Sequence, residues 1–321
     1  MEKDLVRRSS STSNFNKKIQ FILKLFVLLA LVVVYTAALI PQYEDSYNAA
    51  LVDKVARLKS INEPKIVLIG NSNVAFGYDS KLIEEATGMP VVNMGLHGGL
   101  GNKFHDDMMD YNVTPGDIYV ISHISYWRVD EIENPLLGWT TFENHKDLWH
   151  LVKENDYKNM LHSFTSYVKK LTERYYSYTD DSKGEGAYFR SSFNEYGDIA
   201  TYREATGRDF RSDIYPPTVD KSEVDALNEW KKYLEDRGAT LIIAGFPIIT
   251  DQWPEYADEK FMDDYQAQLE AEMDCDVISN WKDYCYTSDY FFDTPYHLTT
   301  EGARLRSEQF VADLKKWQEN R

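Results

Sequence analysis

The chain has 321 residues, 43% of them apolar, enough for one large domain or two small ones around a packed core, which excludes wholesale disorder. Its formal net charge is −17. Lys3, Arg7, Arg8, Lys17 and Lys18 outweigh Glu2 and Asp4 at the start, so the remainder is more acidic still. Such a body repels phosphate backbones, which argues against nucleic acid as a partner, and suits solubility outside the cell.

Residues 1–18 include the polar run RRSSSTSN and read as a flexible cytoplasmic tail. Residues 19–40, IQFILKLFVLLALVVVYTAALI, carry one charge, Lys24, and are long enough to span a bilayer. Basic residues precede the span while Gln42, Glu44 and Asp45 follow it. The positive-inside rule therefore places the tail in the cytoplasm and the body outside the cell membrane. A cleaved signal peptide is the rival reading, with Thr36 and Ala38 as a weak cleavage site, but the apolar run is long for that role. Residues 41–62 are charged with spaced apolar positions and predict a helical stalk, leaving 63–321 as the body.

From residue 63 the pattern alternates strand and helix. KIVLI at 65–69 is a short β-branched run ended by Gly70 and predicts a buried first strand. A helix over 79–86 follows, capped by Asp79 or Ser80 and closed by Gly88. Val91 and Val92 open a second strand, broken by GLHGGLG before a helix through Met108 and Met109. DIYVIS at 117–122 predicts the third strand, TLIIA at 240–244 the fourth and DVIS at 276–279 the fifth. Helices are predicted over 223–237, about 257–273 and 301–318. Strands separated by helices call for a parallel sheet covered on both faces. An insertion at about 134–220 breaks the rhythm, with Leu161, Phe164, Val168 and Leu171 in helical register. We read it as a mainly helical cap over one edge of the sheet. Cys275 and Cys285 are the only cysteines, and either a disulfide or two buried thiols is compatible with their spacing.

Ligands of open parallel sheets bind at the carboxyl ends of the strands, and the turn after the first strand is a favoured place for a reactive group. Gly70-Asn71-Ser72-Asn73 occupies that turn, where backbone N–H groups could face an oxyanion beside Ser72. Near the other end, DTPYHL places Asp293 and His297 on one loop before the last helix. A neutral His297 within reach of Ser72 could take its proton while a carboxylate orients the ring.

Together, GNS after the first strand, NMGLHGG after the second and DTPYHL before the last helix resemble the SGNH/GDSL hydrolase superfamily, over about 64–130 and 238–318. The resemblance implies a three-layer α/β/α fold with a flavodoxin-like, five-stranded parallel sheet and catalysis by Ser72, His297 and Asp293. It implies an oxyanion hole from the N–H groups of Ser72 and Gly98, with Gly95 as the fallback. The pattern NSNVAFGYDS with NMGLHGGLG further resembles bacterial membrane-anchored members associated with cell-surface polysaccharide, of DltD-like architecture.

Two departures stand out. The third block, VISHISYW, lacks the asparagine that the superfamily offers to the oxyanion, leaving Ser122, His123 or Ser125 as substitutes; the acid-to-base spacing is one residue longer than usual. Asn73, His97 and Asn194 are the substrate-binding candidates, and Asp198 is a further polar candidate for the cleft wall.

His105-Asp106-Asp107 and the pair His145 and His150 lack metal-ligand spacing, so no metal is expected, and no P-loop or dinucleotide fingerprint points to a cofactor. The expected function is an extracytoplasmic serine esterase or O-acyltransferase acting on acyl, most plausibly acetyl, esters of a surface or exported glycan. An integral-membrane acyltransferase is the candidate partner. The alternative is a non-catalytic relative that binds glycan or helps polysaccharide assembly.

Overall fold

The β-branched runs of the sequence become short strands buried on both faces. The computed structural model describes residues 2–177, 186–253 and 258–321. Its strands are β1 (Ile66–Ile69), β2 (Val91–Asn93), β3 (Ile118–Ile121), β4 (Thr240–Ile243), β5 (Ile248–Ile249), β6 (Asp276–Val277) and β7 (Cys285–Tyr286). Five form one sheet in the order β2-β1-β3-β4-β6, every pair parallel, while β5 and β7 pair separately. This is the five-stranded parallel α/β sheet that the alternation predicts.

The helices are α1 (Glu2–Leu39), α2 (Leu51–Ser60), α3 (Ser72–Ala75), α4 (Ser80–Thr87), α5 (Asn102–Asp106), α6 (Pro135–Glu143), α7 (Glu154–Ser177), α8 (Lys221–Glu235), α9 (Glu259–Glu272) and α10 (Thr300–Glu319). Successive strand residues face opposite layers. Val67, Ile69, Tyr119 and Ile121 pack with Val55 of α2, Leu227 of α8 and Leu269 of α9. Ile66, Leu68 and Val120 pack with Ile83 of α4 and with Phe310 and Leu314 of α10. Helix α4 begins and ends as its sequence predicts: the Asp79 carboxylate accepts from Leu82 N at 3.1 Å, and Gly88 leaves the helix at φ 71°.

The insertion between β3 and β4 is helical in its first half. Helix α6, which weak periodicity hid, starts at Pro135 with Asn134 as its cap and packs on α7, where Trp139 stacks on Tyr167 at 5.2 Å. The return segment wraps the carboxyl ends of the strands. Tyr196 O accepts from Asn93 N at 2.8 Å, Ala75 O accepts from Ile199 N at 3.0 Å, and Phe292 O accepts from Thr206 N at 3.2 Å.

Residues 41–62 correct an expectation, because they do not form a stalk. Tyr47–Ala50 make a 3-10 turn whose four residues are all buried, and Leu51, Val55 and Leu58 of α2 enter the main core. Their i, i+4, i+7 spacing is that of a helix with one buried face, and the body supplies the surface that covers it. Among the described residues, one helix is long and apolar enough to cross a membrane, over Phe15–Leu39. At 1.5 Å per residue its 25 residues span about 37 Å, against a hydrocarbon core of about 30 Å. Such a helix is consistent with a single-pass anchor or a signal sequence. Its end is tied to the insertion: Leu39 is buried with Tyr167 and Leu171, and Tyr35 Oη lies 2.9 Å from Thr172 Oγ1. Cys275 and Cys285 are free thiols rather than a disulfide, and of the two only Cys275 is buried.

A stalk would tolerate truncation at Leu58, whereas a core position would not. Leu58→Ala in the full chain should lower unfolding stability by about 2–5 kcal/mol, read from the urea midpoint in detergent; an unchanged midpoint would return this segment to the status of a linker.

Candidate active site

Parallel strands bring the turn after β1 and the segments after β2, β3 and β4 to one edge of the sheet. At the first of these, Asn71 Oδ1 accepts from Asn73 N at 3.0 Å and Asn73 Nδ2 at 2.9 Å, closing a tight cap that starts α3 on Ser72. His297 arrives from the loop before α10. Thr294, which lengthens the acid-to-base spacing by one residue, closes that loop: its Oγ1 accepts from His297 N at 3.1 Å and Tyr296 N at 3.3 Å.

The three residues meet. His297 Nε2 is 2.9 Å from Ser72 Oγ, and His297 Nδ1 is 2.8 Å from Asp293 Oδ1. The imidazole is 6% exposed and stacks flat on Phe76, with ring centroids 4.0 Å apart and planes 7° apart. Tyr188, from the insertion, donates its hydroxyl to Asp293 Oδ2 and lies 3.2 Å from His297 Nδ1. Burial alone would raise the Asp293 carboxyl, but hydrogen bonds from His297 and then Tyr188 outweigh it and hold the group below its ordinary range. Burial, then the neighbouring Asp293 charge, pushes the Tyr188 phenol up. His97 is held down, first by burial and then by the charge of His297.

The candidate oxyanion donors separate clearly. Gly95 N is occupied by Asn93 Oδ1 at 2.9 Å, and a Cβ on Gly95 would lie 2.4 Å from Ala75 N. Gly95 therefore serves close packing and is not a fallback donor. Gly98 opens a 3-10 turn, so its N–H has no partner within that turn, and none accepts from it or from Ser72 N among the described residues. Two of the three substitutes in the third block have their donors committed elsewhere: Ser122 Oγ donates to Gly245 O at 3.0 Å and His123 Nε2 bonds Asp106 Oδ1 at 2.9 Å. Ser125 Oγ is held by Thr218 N, from which it accepts at 3.1 Å. Asn71 offers a further donor beside Gly98. Because its Oδ1 must face the two Asn73 donors, its amide nitrogen is turned outward, where a Cβ on Gly98 would be 3.9 Å from it.

Of the substrate-binding candidates, only His97 stays at the surface, its Nδ1 accepting from Gly99 N at 2.9 Å. Asn73 is buried, donating to Ser122 O at 3.0 Å and accepting from the Arg306 guanidinium at 3.2 Å. Asn194 Oδ1 accepts from the N–H groups of Tyr196, Gly197 and Asp198, so it holds a turn. Asp198 is buried and ties the insertion to Ser80 and Asn93, at 2.7 and 2.8 Å. These amides and carboxylates satisfy buried backbone, a demand that residue type alone does not reveal.

One buried group, Asp106, His123 and Glu223, has the donor set of a metal site. Arg128 Nη1 already donates to both carboxylates at 3.0 Å. Burial pushes Asp106 up to about 7 and Glu223 up to about 8, the second helped by the Asp106 charge.

Tyr188, Phe76, Asn71 and Arg306 are the site-supporting residues the sequence reading missed. The separation of 105 residues between Tyr188 and Asp293 leaves no local spacing to detect, whereas the resemblance joined Ser72 and His297 across 225 residues. No protein-family model, curated protein or solved structure matches the chain.

A carboxyl held below its ordinary pKa of about 3.9 contributes stability that is complete above that value and lost as pH falls through the lower folded value. The stability gap between wild type and Asp293→Asn should therefore be constant above about pH 5 and narrow in acid. Tyr188→Phe removes one of the lowering hydrogen bonds and should move that narrowing to higher pH. Chemical unfolding across pH 2.5 to 6 measures both; superimposable acid limbs for wild type and Tyr188→Phe would remove Tyr188 from the pair's support.

Proposed function

We propose that the protein is an extracytoplasmic serine esterase or O-acyltransferase of the SGNH/GDSL type, acting on acyl esters, most plausibly acetyl, of a surface or exported glycan. The observation that carries this is His297 held between Ser72 and Asp293 at 2.9 and 2.8 Å. His297 Nε2 takes the Ser72 hydroxyl proton as Oγ attacks the acyl carbon, and Asp293 offsets the charge gained by the ring. The proton then passes to the departing sugar hydroxyl. Water or a second hydroxyl, deprotonated by the same nitrogen, resolves the acyl-enzyme. The N–H groups of Ser72 and Gly98, with the outward amide of Asn71, are the donors for the oxyanion.

The motifs GNS, NMGLHGG and DTPYHL support the family assignment, and the polar, aromatic surroundings of Tyr188 and His97 support a carbohydrate. The contact of Tyr35 with the insertion favours a retained anchor, since cleavage after Ala38 would remove it. With Lys3, Arg7 and Arg8 on the cytoplasmic side, the body faces outward. The engagement of Ser122, His123 and Ser125 elsewhere favours the second reading, a binding protein that uses the same cleft without turnover.

A fluorophosphonate probe separates the two. The full chain in detergent should be labelled, with labelling lost in Ser72→Ala and His297→Ala and slowed by roughly 10²–10³-fold in Asn71→Ala. A folded wild type that takes no label would leave the binding reading.

A further inference from the structure

Beside the triad lies a cavity of about 310 Å³ whose walls come from five separate parts of the chain. Tyr43, Ser46, Tyr47 and Asn48 follow α1; Asn134 and Thr140 belong to α6 and its cap; His97 and Tyr188 border the triad. We propose that this cavity binds the saccharide of the acyl ester on which Ser72 acts, and that this saccharide is attached to the membrane. The proposal rests on the serine-esterase reading for its chemistry but not for its binding surface.

Continuity places the cavity in the same site. Tyr188 forms its wall and bonds Asp293, while His97, on the opposite side, lies close enough to feel the His297 charge. The lining fits a polyol. In a chain of net charge −17, no carboxylate lines it among the described residues; hydroxyls, amides, tyrosine rings, His97 and two leucines do, with Lys170 as the one lysine or arginine among them. Sugar rings present apolar C–H faces to aromatic rings and hydroxyls to neutral donors and acceptors. Tyr47 and Tyr188 stand 6.0 Å apart with planes tilted 45°, an angled pair of such faces.

Two of the lining residues also carry a side-chain oxygen without a partner. Tyr47 Oη and Asn48 Oδ1 are buried without a hydrogen bond, in residues 7% and 4% exposed. The other end of the Asn48 amide is already committed to Thr141 Oγ1 at 3.0 Å, so Oδ1 requires a donor. Asn134 commits only its oxygen, which accepts from Leu137 N at 3.1 Å, so its amide nitrogen remains for an acceptor. A buried group left unpartnered is destabilising, and sugar hydroxyls supply both kinds of partner.

Location supplies the membrane. Tyr43 is four residues beyond Leu39, where the apolar helix ends, and Lys170 sits on α7, which α1 contacts through Tyr35 and Leu39. The cavity therefore opens at the end of the body from which α1 departs, within reach of a short saccharide held on a lipid.

The test uses the full chain in nanodiscs with a panel of O-acetylated gluco-, manno-, galacto- and xylo-tetrasaccharides, each free and on a palmitoyl anchor. Deacetylation of the preferred member is divided by the rate on p-nitrophenyl acetate. In Tyr47→Phe this ratio should fall roughly three- to tenfold, the loss of one neutral hydrogen bond, and in Ser46→Trp, which fills the cavity, it should fall further. The anchored form should exceed the free form by at least about tenfold through local concentration. Equal ratios in wild type and both variants, with the serine still labelled, would overturn the cavity assignment and leave the esterase reading intact. Equal rates for anchored and free sugar would overturn the membrane attachment. If wild type takes no fluorophosphonate, saturation-transfer NMR with the same sugars decides the cavity alone: signals lost in Ser46→Trp support it, and no signal with any sugar rejects it.

Discussion

The candidate site hangs on one buried cation. Arg306, on α10, is fully buried, and among the described residues no carboxylate pairs with it. Its guanidinium donates instead to Asn73 O at 2.9 Å, Ser122 Oγ at 2.6 Å and Gly245 O at 3.1 Å, and it lies over the Tyr78 ring at 4.1 Å. Those oxygens belong to the segments that follow β1, β3 and β4. A charge withdrawn from water is costly unless hydrogen bonds replace its hydration; the strand ends supply them to both Nη atoms of Arg306, while its Nε has no partner among the described residues, so the three strand ends are held in one arrangement by the solvation that they give the Nη pair. Gly77 belongs to the same constraint, since a Cβ there would meet Arg306 Nη1 at 2.1 Å. The residue after Ser72 is thus fixed from below by a helix more than two hundred residues away in sequence.

A second network fixes the neighbouring segment. Asn93, at the end of β2, donates to Val74 O at 2.9 Å and to Asp198 Oδ1 at 2.8 Å, and accepts from Gly95 N. Lys54 of α2 is buried beside it, donating to Asn93 O at 2.9 Å and to Gly197 O, and burial lowers its amine to about 7. The segment after α1, the second strand and the insertion are therefore joined at a single point. That junction is the physical reason residues 41–62 belong to the body.

What could be read from the sequence was what depends on local order. Short runs rich in β-branched residues became β1 through β4, because backbone pairing and burial act within the run. Asp79 and Gly88 bounded α4 because caps act over three or four residues. The meeting of Ser72, Asp293 and His297 was legible from the turn after the first strand and the loop before the last helix, which a parallel sheet brings to one edge, and the resemblance joined the two. Tyr188, Phe76 and the outward amide of Asn71 were not legible, since each depends on a partner fixed by tertiary packing. Asn73 and Asn194 failed as cleft residues for the same reason in reverse: backbone groups nearby had already claimed their amides.

The stack of His297 on Phe76 reaches beyond positioning. With one face of the imidazole covered at 4.0 Å and Nδ1 bonded to Asp293, the ring is held against turning over between two chemical steps. A single nitrogen, in a single place, would then have to surrender a proton to the outgoing alcohol and collect one from the incoming nucleophile. The two must stand in the same spot by turns, like passengers using one door. Whatever leaves delays whatever enters, and the lifetime of an acylated serine here would be governed by how quickly the first product clears the threshold.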